Sequence, residues 1–537
     1  MTARELSFWG WGYADRFPDD AARKGLARLA AAMLGGGEFE LRAPPALDAV
    51  RMPAPRVAAP AALAAVATDA PADRASHTYG KSYRDLARGF AGDFSPAPDL
   101  VVRPRSEDEI ERLLDWAAGA GVAIIPFGGG TSVVGGVEGT VSDRYHGVVS
   151  LDLRGLDRVL EIDDVSRAAR IQAGATGPVL ESQLQPSGLS LRHYPQSFEF
   201  STLGGWIATR AGGHFATVYT HIDDLVESVR MIAPVGRFES RRLPGSGAGP
   251  SPDRMVIGSE GILGIITEAW VRLHPRPRWR AQASAVFDDF APAVDATRAV
   301  AQSGLYPANC RLLDAREAML HRVRSDGKNV LLLGFESADH PVDTWIDRAV
   351  AIVADHGGTV PDGITRKDAG DRAREGNAAS WRQAFLDMPY MFNAMVSMGV
   401  VVDTFETACT WDRFDELHGA VIAAVSGAMK ERCGAGLITC RFTHVYPDGP
   451  APYYTFIAPG RRGAELDQHA AIKRAASDAL IAHGGTITHH HAVGREHRPW
   501  YDRQRPDPFA RALEAAKRAL DPSAVLNPGV LIDPPSL

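Results

Sequence analysis

The sequence has little cysteine, no long apolar run and no excess of basic residues. Four cysteines occur among 537 residues, none in a CxxC pair, which argues against a disulfide framework and favours a reducing compartment. No stretch reaches the roughly 18 apolar residues of a membrane span, and the first residues lack the pattern of a signal peptide. The net charge of −7 argues against nucleic-acid binding. These absences predict a cytoplasmic protein with no nucleic-acid partner.

The chain is too long for one ordinary hydrophobic core, so we expect several packed units. Composition shifts and proline-marked junctions predict an Ala- and Pro-rich helical extension over residues 1–94 and an α+β domain over 95–277. A second α+β domain is predicted over 278–480, followed by a C-terminal segment over 481–537. The fold class is therefore α+β.

Local patterns place the main elements. VVRP, EDEIERLLDWAAGAG and VAIIPF read as a β-α-β unit that ends in a glycine loop. PYYTFIAP is predicted to be an edge strand of the second domain. Two Ala-rich helices, near residues 467–483 and 507–520, bracket the stretch THHHAVG.

Three glycine- and hydroxyl-rich stretches occur in the first α+β domain: PFGGGTSVVGG, HYPQSFEFSTLGGWIATRAGG and IGSEGILGIITEAWV. Glycines let backbone N–H groups approach an anion closely, and a pyrophosphate is the natural guest. The spacing is neither GxGxxG nor GxxxxGKS, so those nucleotide folds have no support. Each stretch alone is typical of a structural turn. Together they predict several backbone walls around one extended ligand.

In this order, these stretches closely resemble the FAD-binding domain of the vanillyl-alcohol-oxidase-type (PCMH-type) flavoproteins. FWGWG, HIDDLVESVRMIAPVG, RLLD, FETACTWDR, THHHAVG and LDPSAVLNPGVL narrow the resemblance to the alkyldihydroxyacetonephosphate synthase family. The resemblance implies a two-part PCMH-type FAD-binding domain, an α+β cap domain, FAD as cofactor and a small-molecule or lipid substrate. It also implies exchange of the acyl chain of acyl-dihydroxyacetone phosphate for a fatty alcohol through a flavin N5 adduct. We further predict a homodimer with peripheral membrane contact for a lipid substrate.

The same resemblance implies the flavin-binding residues. The first loop contributes the residues at the diphosphate, and three later segments complete the flavin site. These residues are Pro126, Phe127, Gly128, Gly129, Gly130, Thr131, Ser132, Gln196, Ser197, Ser201, Thr202, Thr209, Arg210, Ala211, Gly212, Glu260, Gly261, Gly264, Ile265 and Ile266.

The implied catalytic residues lie outside the glycine loops. Tyr453 matches the family's catalytic tyrosine, with Tyr454 as the second candidate, and it needs cationic neighbours to act as a base because a free phenol titrates near 10. Arg311 matches an arginine important for activity, and His193 matches a histidine beside flavin and substrate. The resemblance also makes His489, His490 and His491 essential for activity. Without the resemblance, Tyr453, Arg311 and His193 would be interpreted as packing or surface residues, and so would at least one of the three histidines.

Two positions depart from the family pattern. Phe392 stands where the family has a substrate-binding arginine and, being apolar, cannot pair with the substrate phosphate; Arg382 could compensate only after a helix register shift. Phe392 is also the motive for an alternative function, an FAD-linked oxidase or dehydrogenase of a hydroxy acid or alcohol. Another alternative is a flavin-binding protein without catalysis. Ala492 replaces a glycine that the family has after the histidines.

The three consecutive histidines are predicted not to bind a metal. In an extended segment alternate side chains face opposite ways, so His489 and His491 would share a face and His490 would point away. Zinc needs three or four ligands, and a candidate such as His444 is remote in sequence. Histidine can change charge near neutral pH, so the run is interpreted as stabilising a phenolate or an anionic adduct, with at least one member approaching Tyr453 and the flavin ring.

Overall fold

The computed structural model of the protein describes residues 4–36, 38–219, 221–367 and 389–534. Its α+β fold class is as the sequence predicts. Arg382 lies outside the described residues. Among the described residues, no helix has both the length and the apolar character needed to cross a membrane.

Helices occur throughout the described residues. They are α1 Asp20–Met33, α2 Pro71–Ser76, α3 Tyr83–Phe90, α4 Glu107–Ala120, α5 Gly177–Leu184, α6 Leu203–Thr209, α7 Ala216–Tyr219, α8 Ile222–Leu225, α9 Pro252–Val256, α10 Phe290–Gln302, α11 Ala315–Leu320, α12 Asp343–Asp355, α13 at described residues 389–397, α14 Phe414–Cys433, α15 Glu465–Ala482, α16 Arg498–Gln504 and α17 Asp507–Leu520.

Within the part of the chain that the structure describes, the strands form four sheets. They are β1 Ala67–Thr68, β2 Leu100–Val102, β3 Val122–Phe127, β4 Gly147–Asp152, β5 Val159–Asp163, β6 Ala168–Gln172, β7 Leu189–Ser190, β8 Val226–Ala233, β9 Gly236–Glu239, β10 Ile265–Arg272, β11 His274–Pro275, β12 Trp279–Phe287, β13 Asn309–Leu313, β14 Asn329–Ser337, β15 Ile364–Lys367, β16 Val400–Glu406, β17 Leu437–Val445 and β18 Pro450–Pro459.

The first sheet has the order β1-β2-β4-β3, and its β2, β4 and β3 strands are parallel. Helix α4 connects β2 to β3 as predicted, with Ser106 capping its first turn and Gly121 ending it in the left-handed conformation. Strand β3 is almost wholly buried and delivers the first glycine loop at its carboxyl end. The C-terminal segment packs here as well, because Val525 and Leu526 belong to the same core.

A five-stranded antiparallel sheet, β5-β6-β10-β8-β9, follows, and a two-stranded pair, β11-β7, flanks it. Its core also takes in Val493 and residues 530–532 of the C-terminal segment. The seven-stranded sheet begins only at β12. The domain limits predicted from the sequence stay predictions.

The seven-stranded sheet has the order β15-β12-β14-β13-β17-β18-β16. The prediction that PYYTFIAP is an edge strand is wrong, because β18 lies between β17 and β16 and is bonded to both. The physical reason is burial: nine of the ten residues of β18 are buried, which an interior position provides and an edge does not.

The amino-terminal FWGWG segment is fixed to α13. The backbone N–H of Trp11 donates to the Asn393 side chain at 2.8 Å, and Asn393 Nδ2 donates back to the Trp11 carbonyl at 3.0 Å. Gly12 has φ +64°, and a Cβ there would overlap the Tyr390 phenol. Glycine is therefore required at this close contact.

Candidate functional site

One large cavity lies between the glycine loops and one face of the seven-stranded sheet. Its wall contains 18 of the 20 predicted cofactor residues, namely Pro126, Phe127, Gly128, Gly129, Gly130, Thr131, Ser132, Gln196, Ser197, Ser201, Thr202, Thr209, Ala211, Gly212, Glu260, Gly261, Gly264 and Ile266. Arg210 and Ile265 are not part of the wall: Arg210 binds Asp223 at 2.7 Å, and Ile265 is fully buried in the core of the first sheet.

The first glycine loop is shaped by the second. A Cβ at Gly128 would overlap the Thr202 hydroxyl, and one at Gly129 would overlap the Phe200 carbonyl. Among the described residues, none of the backbone N–H groups at 128–132 donates to a protein acceptor. A run of unused N–H donors on a cavity wall fits a diphosphate.

The second loop begins helix α6. Thr202 caps that helix by accepting a hydrogen bond from the Gly205 N–H, and Ser201 accepts one from the Trp206 indole at 2.7 Å. The backbone of this loop is thereby held against the first one. The two loops fit FAD as the bound group.

The opposite wall is formed by strands of the seven-stranded sheet, and the pairing of these strands determines which side chains share a face. Arg441 on β17 and Glu406 on β16 both pair directly with Tyr453 on β18, so their side chains share one face. On β13, Leu313 pairs with Arg441, which places Arg311, two residues earlier, on that face too. Arg311, Arg441 and Tyr453 therefore line the cavity from three adjacent strands, and Glu406 continues the row beneath the histidine run.

Tyr453 and Tyr454 point to opposite faces. The Tyr453 hydroxyl donates to Thr404 Oγ1 at 2.9 Å, and the Arg441 guanidinium lies 3.9 Å from the centre of its ring. Burial raises the pKa of Tyr453, while Arg441 and the Thr404 hydrogen bond lower it. Tyr454 packs in the core beside Phe405. Of the two candidates, only Tyr453 lines the cavity.

The histidine run is folded around the carboxylate of Glu406. The backbone N–H groups of His489, His490 and His491 donate to it at 2.6, 3.0 and 2.9 Å, and the Thr488 hydroxyl donates at 2.6 Å. Burial opposes ionisation, yet the histidines and Thr488 hold the pKa of Glu406 well below its usual range. Glu406 is therefore an anion surrounded by backbone N–H groups, and these hydrogen bonds fix the position of the histidine run.

The predicted alternation of the run is wrong. Its residues form bends and not a strand, because three successive N–H groups must converge on one carboxylate. The rings of His490 and His491 lie 6.1 and 5.4 Å from that of Tyr453, so His490 does not point away. His489 instead turns to Tyr446, whose hydroxyl is 2.7 Å from its Nε2. At least one histidine does approach Tyr453, as predicted.

A second carboxylate fixes the end of the same segment. Glu260 accepts the N–H groups of Val493 and Gly494 at 2.9 and 2.8 Å. Burial raises the pKa of Glu260 to about 7. The stretch THHHAVG is thus held to β16 by Glu406 and to the third glycine-rich stretch by Glu260.

Ala492 lies between these two anchors with φ +71°, a left-handed conformation that costs an L-residue roughly 1–2 kcal/mol. We expect Ala492→Gly to remove this strain. Because glycine loses more chain entropy on folding, the net gain in unfolding free energy should be below about 1 kcal/mol. Urea unfolding followed by fluorescence measures it.

The same substitution at Ala475, inside helix α15, is the control for Ala492→Gly and should lower the unfolding free energy by about 1 kcal/mol. An equal loss at both positions would contradict strain at Ala492.

Of the two other predicted catalytic residues, Arg311 faces the cavity and His193 does not. Arg311 lines the cavity, and burial lowers its pKa to about 9, with a further contribution from Arg441. His193 is buried behind the cavity wall against the ring of Trp206, and burial lowers its pKa to about 3. His193 is therefore neutral. His489 also lies outside the cavity wall.

Sequence reasoning did not find two functional candidates, Arg441 and Glu406, and it set His444 aside as remote in sequence. Arg441 and His444 lie on β17 in the stretch CRFTHV, and both line the cavity. Glu406, in the FETACT motif, holds the histidine run. The alternation of CRFTHV could have placed Arg441 on a shared strand face, but nothing local shows that Tyr453 lies opposite. Phe392 also lines the cavity, as do Trp11 and Tyr83.

Comparison with known proteins places these features in context. Residues 98–240 match the family described as FAD binding domain, and residues 276–531 match FAD linked oxidases, C-terminal domain. The chain is 34% identical to alkyldihydroxyacetonephosphate synthase of Dictyostelium discoideum over 485 residues, covering 86% of this chain and 77% of the relative. The Trypanosoma brucei brucei synthase is 30% identical, with 86% and 78% covered. A solved alkyldihydroxyacetonephosphate synthase structure aligns with a TM-score of 0.81 at 27% identity, covering 97% of this chain and 98% of that one.

Proposed function

The chain belongs to the alkyldihydroxyacetonephosphate synthase family, and we propose that it exchanges the acyl chain of acyl-dihydroxyacetone phosphate for a fatty alcohol. FAD is its cofactor. The observation that carries the proposal is the position of Tyr453, which faces the cavity opposite the glycine loops with Arg441 against its ring.

FAD, when bound, supplies the ring on which the exchange takes place without net oxidation. The N–H groups of residues 128–132 would hold the diphosphate, and the wall residues of the second and third loops would enclose the rest. Tyr453 would take the carbon-bound proton of the substrate at its phenolic oxygen. Tyr453 must be ionised before this transfer, which leaves it as a neutral phenol. Thr404 is placed to donate a hydrogen bond to the phenolate, and Arg441 to stabilise its charge.

Arg441 should tune the pH dependence of the reaction. It forms a buried ion pair with Glu317, so we use the neutral double substitution Glu317→Gln/Arg441→Met. Without the cation the pKa of Tyr453 rises, and the ionised fraction at a given pH falls. We therefore expect the acid limb of the pH–rate profile to move to higher pH, on the order of one unit.

The single substitution Glu317→Gln is the matched comparison for this pH effect. It removes the anion that screens Arg441, so the cation should lower the pKa of Tyr453 further. The acid limb should therefore move to lower pH. A shift of both variants in the same direction would contradict the role of Arg441. FAD absorbance on the purified variants checks that they are folded.

The described part of the cavity wall has apolar as well as cationic side chains. Phe392, Trp11, Tyr83 and Leu86 are among the apolar ones, whereas the cationic side chains on the described part of the wall are Lys81, Arg311 and Arg441. Among the described residues of the wall, these three cations are the candidates for binding a substrate phosphate. Phe392 is also the specific observation that favours the second candidate function, an FAD-linked oxidase or dehydrogenase of a hydroxy acid or alcohol.

A direct experiment separates the two functions. The purified yellow protein is mixed, without oxygen, with acyl-dihydroxyacetone phosphate and a fatty alcohol, and separately with a panel of hydroxy acids. Fatty-acid release with the flavin left oxidised supports the exchange. Full bleaching of the flavin by a hydroxy acid, without exchange, would replace the synthase function by the oxidase one. A colourless protein that takes up no FAD would contradict both.

Three further properties belong to this proposal. The enzyme would act as a homodimer, would touch a membrane peripherally to collect a lipid substrate, and would be cytoplasmic. Cross-linking, vesicle co-sedimentation and cell fractionation test them in turn.

A further inference from the structure

Four imidazole rings gather at the cavity wall, two of them lining the cavity and two behind it. His444 on β17 has ring-centre distances of 5.0 Å to His489 and 5.2 Å to His490, and His489 and His490 are 5.2 Å apart. His221, at the start of α8, lies 5.2 Å from His444 and 4.9 Å from His489. The prediction of no metal rested on the distance of His444 from the other histidines in sequence. In the folded chain, however, His444 lies next to them.

One ring nitrogen from each of His444, His489 and His490 lies within 4.8 Å of the other two. The Nδ1 atoms of His489 and His490 are 3.0 Å apart. Tetrahedral Zn²⁺ with Zn–N bonds of about 2.0 Å holds its ligand nitrogens roughly 3.3 Å apart. Small side-chain rotations would bring this set, which we call the histidine cluster, to that geometry.

The histidine cluster is braced as metal ligands usually are. Tyr446 holds His489 Nε2 at 2.7 Å, and the Gly213 carbonyl oxygen is 3.0 Å from His444 Nε2. The backbone of His489 and His490 is fixed by Glu406, whose Oε2 lies 3.6 Å from His490 Nδ1. Hydrogen bonds to the far ring nitrogen fix the orientation of a ligating imidazole, and a nearby carboxylate compensates the charge of a divalent ion.

We propose that the histidine cluster binds a divalent transition metal, with Zn²⁺ as the reference ion. Three imidazoles leave at least one coordination position open. His444 and His490 both line the cavity, so the open position would face it and take an oxygen ligand of the substrate, such as a hydroxyl, keto or carboxylate oxygen. This site extends the proposed function but does not depend on it.

Metal content tests the site independently of turnover. The FAD-loaded protein is stripped with a chelator, dialysed against Zn²⁺ and analysed by mass spectrometry for zinc and by absorbance for flavin. We expect about one zinc ion per chain in the wild type. His444→Gln should lose at least 10-fold in zinc affinity while keeping its FAD.

His483→Gln is the matched control, because His483 is a surface residue bonded to Glu416. This variant should bind as much zinc per chain as the wild type. If His444→Gln fails to fold, His489→Gln replaces it, with the same expected loss. Absence of zinc from the dialysed wild type, or equal zinc in the cluster variants and His483→Gln, overturns the site. If the protein binds zinc yet shows no exchange, the proposed function fails and the metal site stands.

Discussion

Tyr453→Phe is expected to lower the rate of exchange by about 10²–10⁴-fold, the usual contribution of a positioned general base. The phenolic oxygen is the atom that would accept the substrate proton, and phenylalanine keeps the ring against Arg441 while removing that oxygen. FAD content should not change, since the hydroxyl bonds only to Thr404 among the described residues. Fatty-acid release under saturating substrate measures the effect.

Tyr454→Phe is the control for this result. Tyr454 is fully buried on the other face of β18, and its hydroxyl is 3.2 Å from His418 Nδ1. Its loss should cost about 1 kcal/mol of stability and change the rate little. A large rate loss in Tyr454→Phe with an active Tyr453→Phe would reverse the assignment of the base.

Much of the flavin domain could be predicted because its signals are local. The strands of the β-α-β unit, the capping residue of its helix and the glycine that ends the helix all lie within about thirty residues. Strand β3 coincides with the predicted VAIIPF. The glycine loops were also recognisable, because a close backbone approach needs glycine wherever it occurs. Most of the predicted loop residues do line the cavity.

The histidine wall could not be predicted in the same way because its determinants are distant in sequence. Glu406 reaches the run across 83 to 85 residues, and Glu260 reaches it across 233 and 234. The local sequence THHHAVG suggested an extended segment with side chains on alternating faces. The Glu406 carboxylate instead makes the segment turn. The interior position of β18 likewise depends on the pairing of β16 and β17, which no local pattern reveals.

Glu406→Gln is expected to be the most destabilising of the conservative changes considered, by about 3–5 kcal/mol. The carboxylate accepts four hydrogen bonds in a fully buried place, and an amide would turn one acceptor into a donor facing an N–H group. The histidine run should then lose its position against Tyr453. Urea unfolding and the exchange rate should both show the loss, with activity falling even in conditions where the variant stays folded.

Glu260→Gln provides the sharpest control, because Glu260 anchors the same segment but with the opposite pKa shift. Its pKa is raised to about 7, so near neutral pH it is partly protonated and an amide resembles the form already present. Glu406 is ionised at every pH above its unfolded value near 4.3, so the amide replaces a charge throughout that range. We therefore expect Glu260→Gln to cost much less than Glu406→Gln at pH 7. Equal losses would mean that the two carboxylates act only as hydrogen-bond acceptors and that the negative charge of Glu406 does not hold the histidine run.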